Sequence, residues 1–487
     1  MTDTAVRARR TKIVTTLGPA VDTDDVLARM IAAGADVVRL NLSHGTHEEH
    51  RRRVAAVRAA AASQGRDVGV LIDLQGPKIR IECFRDGSVE LKEGDEFTLD
   101  CELADDAGDS KQVGVTYKNL PHDVSVGDTL VLADGEIVLT VDEIEDKRVH
   151  CRVETGGKLS DHKGLNRRGG GLSAEALTDK DRKDIELAAE MEADFLAISF
   201  PRTAADVQRA RELLHAAGGE AAIVAKIERA EAVENLDEII EASDAVMIAR
   251  GDLGVEIGDA PLPGVQKRIV REARKRNTVV ITATQMMESM VTSPTPTRAE
   301  VLDVANAVLD GTDAVMLSEE TAIGKHPVKV VEAMARVCLG AEAEPPEDRE
   351  RRAGNDRFQR VDETISMAAM YVSQHLGVSA LVALTESGTT ALYMSRVRSD
   401  IPIYALTRHE RTRRRLTLYR GVYPIPFQGE HESDEVLPDV ARTLLDRKLV
   451  EREALILVTR GKLRHVSGGT NSLHLVRIGD ALSDHEA

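Results

Sequence analysis

The sequence predicts an α/β protein built on a (β/α)₈ TIM barrel, with an inserted all-β lid domain and a C-terminal open α/β sheet domain. Two observations predict this fold. Eight short runs rich in apolar and β-branched residues alternate with amphipathic helical patterns, and a β-rich segment interrupts the alternation after the third run. A second, shorter alternation follows a polar stretch near residue 350.

The eight runs are the candidate barrel strands, because strand–helix alternation is typical of parallel βα units and eight such units close a barrel. Between the last two runs, Thr297 and Glu300 have the capping-box spacing that begins a helix, and Gly311 is suited to end it. The runs are TKIVTTLG (11–18), VVRLNLS (37–43), VGVLIDLQ (68–75), FLAISF (195–200), AAIVAKIE (221–228), AVMIARGD (245–252), TVVITAT (278–284) and AVMLSEE (314–320).

This pattern divides the chain into domains. Residues 1–75 and 172–340 are expected to form the barrel, and 76–171 the inserted β domain. An insertion after the third strand lies at the C-terminal mouth of a barrel, so a lid is its expected role. Residues 341–354 are a linker by composition. Residues 355–487 contain four further strand runs, VSALVALT, IPIYALT, GVYPIPF and EALILVT.

Composition excludes several classes of protein. The 487 residues hold 82 acidic and 64 basic side chains, a net charge of −18, with no Trp, 6 Tyr and 6 Phe. A nucleic-acid binder needs a basic footprint and usually aromatic platforms. No apolar run approaches the roughly 18 residues of a membrane span, and no apolar core follows the basic N-terminus. The four cysteines lack CxxC spacing. We expect a cytoplasmic protein.

Polar side chains gather at the C-terminal ends of five of the eight runs. Charged groups there are costly unless they line the mouth of the barrel, where its active site would lie. The side chains are Arg39, Asn41, Ser43, Asp73, Lys226, Glu228, Arg250, Asp252 and Thr284.

These residue types indicate phosphoryl transfer. Glu228 and Asp252 are hard oxygen ligands suited to Mg²⁺ or Mn²⁺. Gly251 lets backbone N–H groups approach an anion closely. A metal and several cations around one phosphoryl group provide charge stabilisation. The alternative is that Lys226 and Glu228 form only a structural ion pair. The cations that would surround an anionic ligand are Lys226, Arg39 and Arg250.

The motifs of residues 11–327 closely resemble those of pyruvate kinase. They include TKIVTTLGPA, VRLNLSHGTHEEH, DLQGPKIR, HKGLN, AKIE, MIARGDLGVE, TATQMMESM and PTPTRAEVLDVANAVLDGTDAVMLSEET, in this order. The resemblance implies a barrel with a β lid and a C-terminal α/β domain. It also implies phosphoryl transfer from phosphoenolpyruvate to ADP, giving pyruvate and ATP, with Mg²⁺ or Mn²⁺.

The resemblance also implies roles for single residues. Lys226 matches the lysine that stabilises the phosphoryl group and the developing enolate, and Glu228 and Asp252 match the metal ligands. Gly251, the backbone at Asp252 and Thr284 match the cradle of the pyruvate carboxylate. Thr284 is also placed to relay a proton to the enolate carbon, through water.

Further positions match the phosphate and nucleotide sides. Arg39 and Arg80 match arginines that hold phosphate. The lid-face positions matched are Asp134 and Lys163. The residues implied for the nucleotide are Asn41, His44, Arg80 and Lys163.

One departure concerns the monovalent cation. The potassium-dependent form reads DTKGPEIRT where this chain reads DLQGPKIRI, so that Leu74 replaces threonine and Lys78 replaces glutamate. Asn41, Ser43 and Asp73 of the cation site remain. The ammonium of Lys78 can supply the charge that K⁺ would supply, so the chain resembles the potassium-independent type. The alternative is a solvent-facing lysine without consequence.

Smaller departures stay open. LSEET in place of LSGET adds Glu319, which is either a carboxylate of the mouth or a solvated one. Arg167 and Arg168 in KGLNRRGG either change the stiffness of the lid hinge or contact nucleotide.

The C-terminal domain contains a candidate effector loop. Hydroxyls and a glycine precede a predicted helix, which makes either a phosphate cradle or an ordinary N-cap. The resemblance favours the cradle, near GGTN (468–471), with a homotetramer and a phosphorylated effector. Glu386 would oppose a bisphosphate unless Arg460 and Lys462 compensate, so a sugar monophosphate, AMP and fructose bisphosphate all stay open. The loop residues are Thr385, Ser387, Gly388, Thr389 and Thr390.

Two alternatives to a pyruvate kinase are considered. A Schiff-base aldolase would use Lys226, but Glu228 on the same face would keep that lysine protonated. A non-catalytic metabolite sensor on the same fold would be marked by loss of Lys226, a metal carboxylate or Thr284, and all of them are present.

Overall fold

The computed structural model describes residues 8–23, 25–344, 358, 360–429, 436–461 and 469–483. The predicted fold class is confirmed, because eight parallel strands close into a barrel, followed in the chain by a separate α/β sheet. The first barrel elements are β1 (Lys12–Thr16), α1 (Val26–Ala33), β2 (Val37–Asn41), α2 (His47–Ser63) and β3 (Gly69–Asp73).

The inserted β domain follows β3 and has a core of its own, which includes Phe97, Leu139 and Val153. Six of its strands form one sheet in the order β11-β7-β8-β9-β5-β6, and β10 pairs with β4. Its elements are β4 (Ser88–Leu91), β5 (Glu96–Asp100), β6 (Gln112–Gly114), α3 (Leu120–Asp123), β7 (Thr129–Leu132), β8 (Ile137–Glu145), β9 (Arg148–Thr155), β10 (Gly157–Ser160) and β11 (Leu165–Arg167).

The chain then completes the barrel, whose strand order is β1-β16-β15-β14-β13-β12-β3-β2, and each predicted run contains one strand. The elements are α4 (Asp179–Glu190), β12 (Phe195–Ile198), α5 (Ala204–Ala216), β13 (Ala222–Ile227), α6 (Ala230–Glu234), α7 (Leu236–Ala242), β14 (Ala245–Ala249), α8 (Arg250–Ile257), α9 (Leu262–Lys275), β15 (Val279–Ala283), α10 (Arg298–Asp310), β16 (Ala314–Leu317), α11 (Glu319–Ala322) and α12 (Pro327–Glu342).

The C-terminal sheet has the order β19-β18-β17-β20-β21, and its last strand runs antiparallel to β20. The four predicted runs contain the parallel strands, whereas β21 was not predicted. The elements are α13 (Val361–Leu376), β17 (Ala380–Leu384), α14 (Thr389–Ser395), β18 (Ile403–Thr407), α15 (Glu410–Leu416), β19 (Val422–Pro426), α16 (Val436–Asp446), β20 (Leu455–Gly461), β21 (Thr470–Arg477) and α17 (Ile478–Ser483). Among the described residues, every helix is too short or too polar to cross a bilayer.

Four aspartates join neighbouring barrel strands at their N-terminal ends. Each directly precedes the second, fourth, sixth or eighth barrel strand, and its carboxylate accepts a hydrogen bond from an N–H group of the strand before. A short strand end thereby gains a fixed partner for a backbone donor. The four contacts are Asp36 with Ile13 (2.9 Å), Asp194 with Val70 (2.9 Å), Asp244 with Ile223 (2.8 Å) and Asp313 with Val280 (2.9 Å).

The C-terminal domain docks on this end of the barrel. Arg414 of α15 contacts Asp194 at 2.8 Å, and Arg396, just after α14, forms a buried bidentate pair with Asp313. Leu418 packs into the apolar cluster inside the barrel. Arg414 and Arg396 thus attach two helices of the C-terminal domain to carboxylates of the barrel.

The return of the inserted domain to the barrel contains a buried carboxyl group. Glu256 of α8 is 3% exposed, and its Oε2 accepts a hydrogen bond from Ala230 N at 2.9 Å. Its backbone carbonyl accepts a hydrogen bond from Gly169 N at 2.9 Å. Burial raises the pKa of Glu256 to about 7, against partial opposition from the Ala230 hydrogen bond and Arg229.

Replacing the aspartates that join neighbouring strands should lower the free energy of unfolding by unequal amounts, depending on their burial. Asp194→Asn removes the charge that faces Arg58 and Arg414 in a fully buried site, so we expect it to lower the free energy of unfolding by about 3–5 kcal/mol. Asp244→Asn, at a side chain that is 46% exposed beside Arg211, should cost about 1 kcal/mol or less. Urea unfolding followed by circular dichroism measures both. Equal costs would contradict the idea that burial decides the strength of these joints.

Glu256 predicts a pH-dependent stability. The native group has a pKa of about 7, against 4.5 in the unfolded chain, so the native state binds more protons between these values. Stability should therefore fall as pH rises from 4.5 to 7. Glu256→Gln keeps an acceptor for Ala230 and should raise the free energy of unfolding at pH 8 by up to about 3 kcal/mol, with little gain at pH 4.5. The same gain at both pH values would show that this carboxyl does not titrate in that window.

Candidate active site

A cleft of about 650 Å³ opens at the C-terminal end of the barrel, and residues of the inserted domain line it together with residues of the barrel. The structure thus brings together side chains from widely separated parts of the sequence. The predicted site residues that line this cleft are Arg39, Asn41, His44, Lys78, Asp134, Gly251, Thr284 and Glu319.

Lys226 is the buried cation of the site, with 9% of its surface exposed. Its Nζ lies 2.9 Å from Glu228 Oε1 and 3.3 Å from Asp73 Oδ1. It also donates a hydrogen bond of 2.8 Å to Ser199 Oγ. The ammonium of Lys226 is thus held from three sides, by Glu228, Asp73 and Ser199.

Electrostatics in this cluster favour the charged lysine. Burial opposes the charge of Lys226, but Asp73 and Glu228 outweigh it and raise the pKa of the ammonium. Burial also disfavours the Asp73 carboxylate, but Lys226 and Arg39 lower its pKa. The pKa of Glu228 is raised, because burial and neighbouring Asp252 together outweigh Lys226. A cation placed beside Glu228 and Asp252 would offset the repulsion between these two carboxylates.

Arg39 connects the lysine cluster to the cleft. Its Nε lies 2.6 Å from Asp73 Oδ2, and its Nη1 donates to Thr16 Oγ1 at 3.0 Å. Sequence reasoning missed Thr16 and Ser199. Each stands at or just beyond the C-terminal end of a barrel strand, which is the signal that identified the other residues, but a hydroxyl there is less conspicuous than a charge.

Lys78 lies against a predicted metal ligand. Its Nζ is 3.2 Å from Asp252 Oδ1, although the two residues are 174 positions apart. The side chain of Lys78 is only 27% exposed and is paired inside the cleft, which argues against the alternative that Lys78 faces solvent. Asn41 accepts a hydrogen bond from Ser43 N, and Leu74 is buried.

The turn after β15 presents Thr284 to the helix that begins with Arg250. Thr284 and Gln285 have φ values of +65° and +53°, which are uncommon for residues with a side chain and mark a constrained segment. Thr284 Oγ1 accepts a hydrogen bond from Gly251 N at 2.8 Å. This contact joins the two predicted parts of the carboxylate cradle.

Arg250 was expected to be one of the cations around an anionic ligand, but its side chain binds the turn after β15. Its guanidinium donates to the carbonyls of Ala283 (3.1 Å) and Thr284 (2.7 Å), and it pairs with Asp303. It therefore holds the strained turn in place and is not one of the residues that line the cleft. The residue type indicated a cation at this position, but not the direction of its side chain.

Two predicted nucleotide residues lie on the inserted domain, away from the lining of the cleft. Arg80 donates to the carbonyl of His162 at 2.7 Å. Lys163 accepts a hydrogen bond from Ile81 N through its own carbonyl. Arg80 and Lys163 thus stand on paired segments of one domain. Asp134, on the same domain, does reach the cleft.

The hinge arginine acts within the inserted domain. Arg167 forms a bidentate pair with Asp128 at 2.8 and 3.0 Å and donates to the carbonyl of Gly170. Of the two readings for Arg167, this geometry favours a stiffer exit from the domain. Arg168 is exposed, and so is Glu319 although it lines the cleft.

The predicted effector loop is a compact turn at the start of α14. Gly388, at φ +89°, donates through its N–H to Thr385 Oγ1 at 2.8 Å, and Thr390 bonds to Thr470 at 2.7 Å. Ser387 and Thr389 share a hydrogen bond of 2.9 Å.

Glu386 of this turn has basic neighbours. His409 and Arg408 lie against its carboxylate, whereas Arg460 lies against His474. Lys462 and Gly468 lie outside the described residues.

Comparison with known proteins agrees with this architecture. Family profiles described as "Pyruvate kinase, barrel domain" and "Pyruvate kinase, alpha/beta domain" match residues 8–331 and 363–476. Pyruvate kinase II of Salmonella typhimurium is 53% identical over 476 residues, which cover 97% of this chain and 99% of that protein.

Two further relatives match over similar lengths. The pyruvate kinase of Haemophilus influenzae is 52% identical over 93% of this chain and 96% of its own. That of Mycobacterium tuberculosis is 40% identical over 97% of this chain and 99% of its own. Since the matches include the barrel and the C-terminal domain at high identity, the chain belongs to the pyruvate kinase family.

Proposed function

We propose that this chain transfers the phosphoryl group of phosphoenolpyruvate to ADP, giving pyruvate and ATP in the final step of glycolysis. The observation that carries the proposal is the buried Lys226 ammonium, held between Asp73 and Glu228 at the mouth of the barrel. A fixed positive charge at this place can stabilise both the phosphoryl group in transit and the enolate left behind.

The reaction breaks the bond between the enol oxygen and phosphorus, while a terminal oxygen of ADP forms a bond to phosphorus. Arg39 would bind the phosphoryl oxygens beside Lys226. Gly251, Asp252 and Thr284 would hold the carboxylate through backbone and hydroxyl groups. The enolate then takes a proton at its methylene carbon, and we assign the relay to Thr284 through water, because a hydroxyl is a weak acid by itself.

The residues present fit a divalent metal. Among the described residues, groups of three or more His, Cys, Asp and Glu suited to a metal ion are absent. Two carboxylates nevertheless suffice for Mg²⁺, which usually keeps waters and binds substrate oxygens as well. Glu228 and Asp252 would hold Mg²⁺ or Mn²⁺, and the cation would neutralise phosphate charge.

We also propose that K⁺ is not required. Lys78 brings a positive charge into the cleft, where its Nζ contacts Asp252. The cation would then be built into the chain beside the cluster of Asn41, Ser43 and Asp73. The inserted domain, residues 76–171, would act as a lid that carries Lys78, Arg80, Asp134 and Lys163.

Regulation and assembly complete the proposal. The turn of residues 385–390 would take the phosphate of an effector, for which a sugar monophosphate, AMP and fructose bisphosphate are the candidates. The enzyme would be a cytoplasmic homotetramer. Titration of activity with each candidate effector and light scattering of the purified protein test these two points.

The central test is a coupled assay of pyruvate formation from phosphoenolpyruvate and ADP. We expect turnover that stops with a chelator and returns with Mg²⁺ or Mn²⁺. Lys226→Met should lower kcat by about 10²–10³-fold or more, because it removes a charge made for the transition state. Lys267→Met, at an exposed lysine paired with Asp310, is the matched control and should leave kcat unchanged.

Two results would contradict this proposed function and favour one of the alternatives. Substrate binding without turnover in the unmodified protein would favour the metabolite sensor. Trapping of pyruvate on Lys226 by borohydride would favour the aldolase, although the contact of that amine with Glu228 at 2.9 Å argues against it.

Lys78→Glu tests the monovalent cation. It places a second carboxylate beside Asp252, so that activity in buffer with tetramethylammonium as the only monovalent cation should fall by about tenfold or more and recover with K⁺. Lys158→Glu reverses a charge at an exposed site of the same domain and should change nothing. A requirement for K⁺ in the unmodified enzyme would contradict the proposal that Lys78 replaces this cation.

A further inference from the structure

Two segments connect the inserted domain to the barrel, and they meet at the start of α4. The chain leaves the barrel after β3 and turns at Gly76, two residues before Lys78. It returns through a segment that ends at Thr178, the N-cap of α4. A contact between Gly76 and Asp181, which are 105 positions apart in sequence, therefore restrains both connections of the inserted domain.

Asp181 makes that contact. Its side chain is completely buried, and its Oδ2 accepts hydrogen bonds from Thr178 N (2.8 Å) and Thr178 Oγ1 (2.6 Å). These bonds form the capping box of α4. The other oxygen, Oδ1, accepts a hydrogen bond from Gly76 N at 3.0 Å. One carboxylate thus joins the departing segment to the returning one, and the bond to Gly76 is not needed to cap the helix.

Gly76 packs closely against Ser199. Its φ is +68°, and a Cβ at this position would lie 2.7 Å from Ser199 Cβ and 3.0 Å from the carbonyl oxygen of Ser199. Ser199 in turn accepts the hydrogen bond of Lys226. The placement of Gly76 by Asp181 is therefore connected by packing to the side chain that holds the catalytic lysine.

Lys180, which precedes Asp181, contacts a second loop of the cleft. Lys180 Nζ donates to the carbonyl of Leu42 at 2.7 Å and pairs with Asp184. Asp184 is buried and also contacts His47 at 2.7 Å. The first turn of α4 thereby holds the loop after β2, which carries Ser43 and His44, as well as the loop after β3.

We propose that Asp181 is a positioning residue, which joins the two connections of the inserted domain and so holds Lys78 at the cleft before substrate arrives. This inference rests on the proposed function for its kinetic part only. Without the hydrogen bond between Asp181 and Gly76, substrate binding would have to order the inserted domain, and this ordering would lower the affinity for substrate.

The test compares Asp181→Asn with Asp206→Asn in the full-length enzyme. Asp206 has the same capping-box position in α5, with Thr203, and its Oδ2 accepts hydrogen bonds from Arg202 N and Thr203 N at that cap. Thr178 and Gly76 donate to different oxygens of Asp181, and asparagine has only one acceptor oxygen. The substituted side chain therefore cannot accept both hydrogen bonds. Asp181→Asn should lose more melting temperature than Asp206→Asn, because Asp181 is fully buried and Asp206 is only partly buried.

The readouts separate positioning from capping. In Asp181→Asn, hydrogen exchange of the amides in 76–82 and 165–177 should speed up by about tenfold or more. The KM for phosphoenolpyruvate should rise by about tenfold, with a smaller change in kcat. Asp206→Asn should show neither effect, and Thr178→Val, which damages the cap but leaves Gly76 bonded to Asp181, should resemble Asp206→Asn.

Three outcomes decide the matter. Equal exchange and equal KM in Asp181→Asn and Asp206→Asn would overturn the inference and leave Asp181 as a helix cap. If the unmodified protein forms no pyruvate, the proposed function fails, but the exchange comparison still decides about the joint. If Asp181→Asn does not fold, Asp181→Glu, which keeps the charge but displaces it by a methylene, must show the same faster exchange in 76–82 for the inference to stand.

Discussion

The closed barrel depends on the aspartates that join its strands in pairs at the N-terminal end. Each supplies a charged acceptor to an N–H group of a buried residue in the strand before it. A buried carboxylate is tolerated only with partners, and Asp194 and Asp313 have arginines from the C-terminal domain among theirs. The same interactions that close the barrel therefore attach the third domain to it.

The opposite end of the barrel uses buried charge differently. At the mouth, Lys226, Asp73, Arg39 and Glu228 balance one another in a confined space, and Asp252 is paired with Lys78. Such an arrangement is costly to assemble, but it needs little rearrangement when charge develops on a substrate. The division of the barrel into a stabilising end and a reactive end follows from these two sets of contacts.

The net charge of −18 describes the surface and not the site. Anionic substrates are compatible with an acidic protein, because a few cations within one cleft determine the local potential. The basic run of α15 shows the converse. It has the composition of a polyanion site, yet Arg411, Arg413 and Arg414 pair with Glu220, Asp67 and Asp194 of the barrel.

The sequence by itself determined the fold class, the eight barrel strands and the cluster around Lys226, because these depend on local periodicity and on which residues stand at strand ends. It did not determine where Arg250 points, that Lys78 meets Asp252, or that Asp181 bonds to Gly76. Only the tertiary structure decided these contacts, since each joins segments far apart in the chain or depends on a side-chain direction. Residue type and spacing describe which charges are available, whereas the packing of whole domains decides which of them meet.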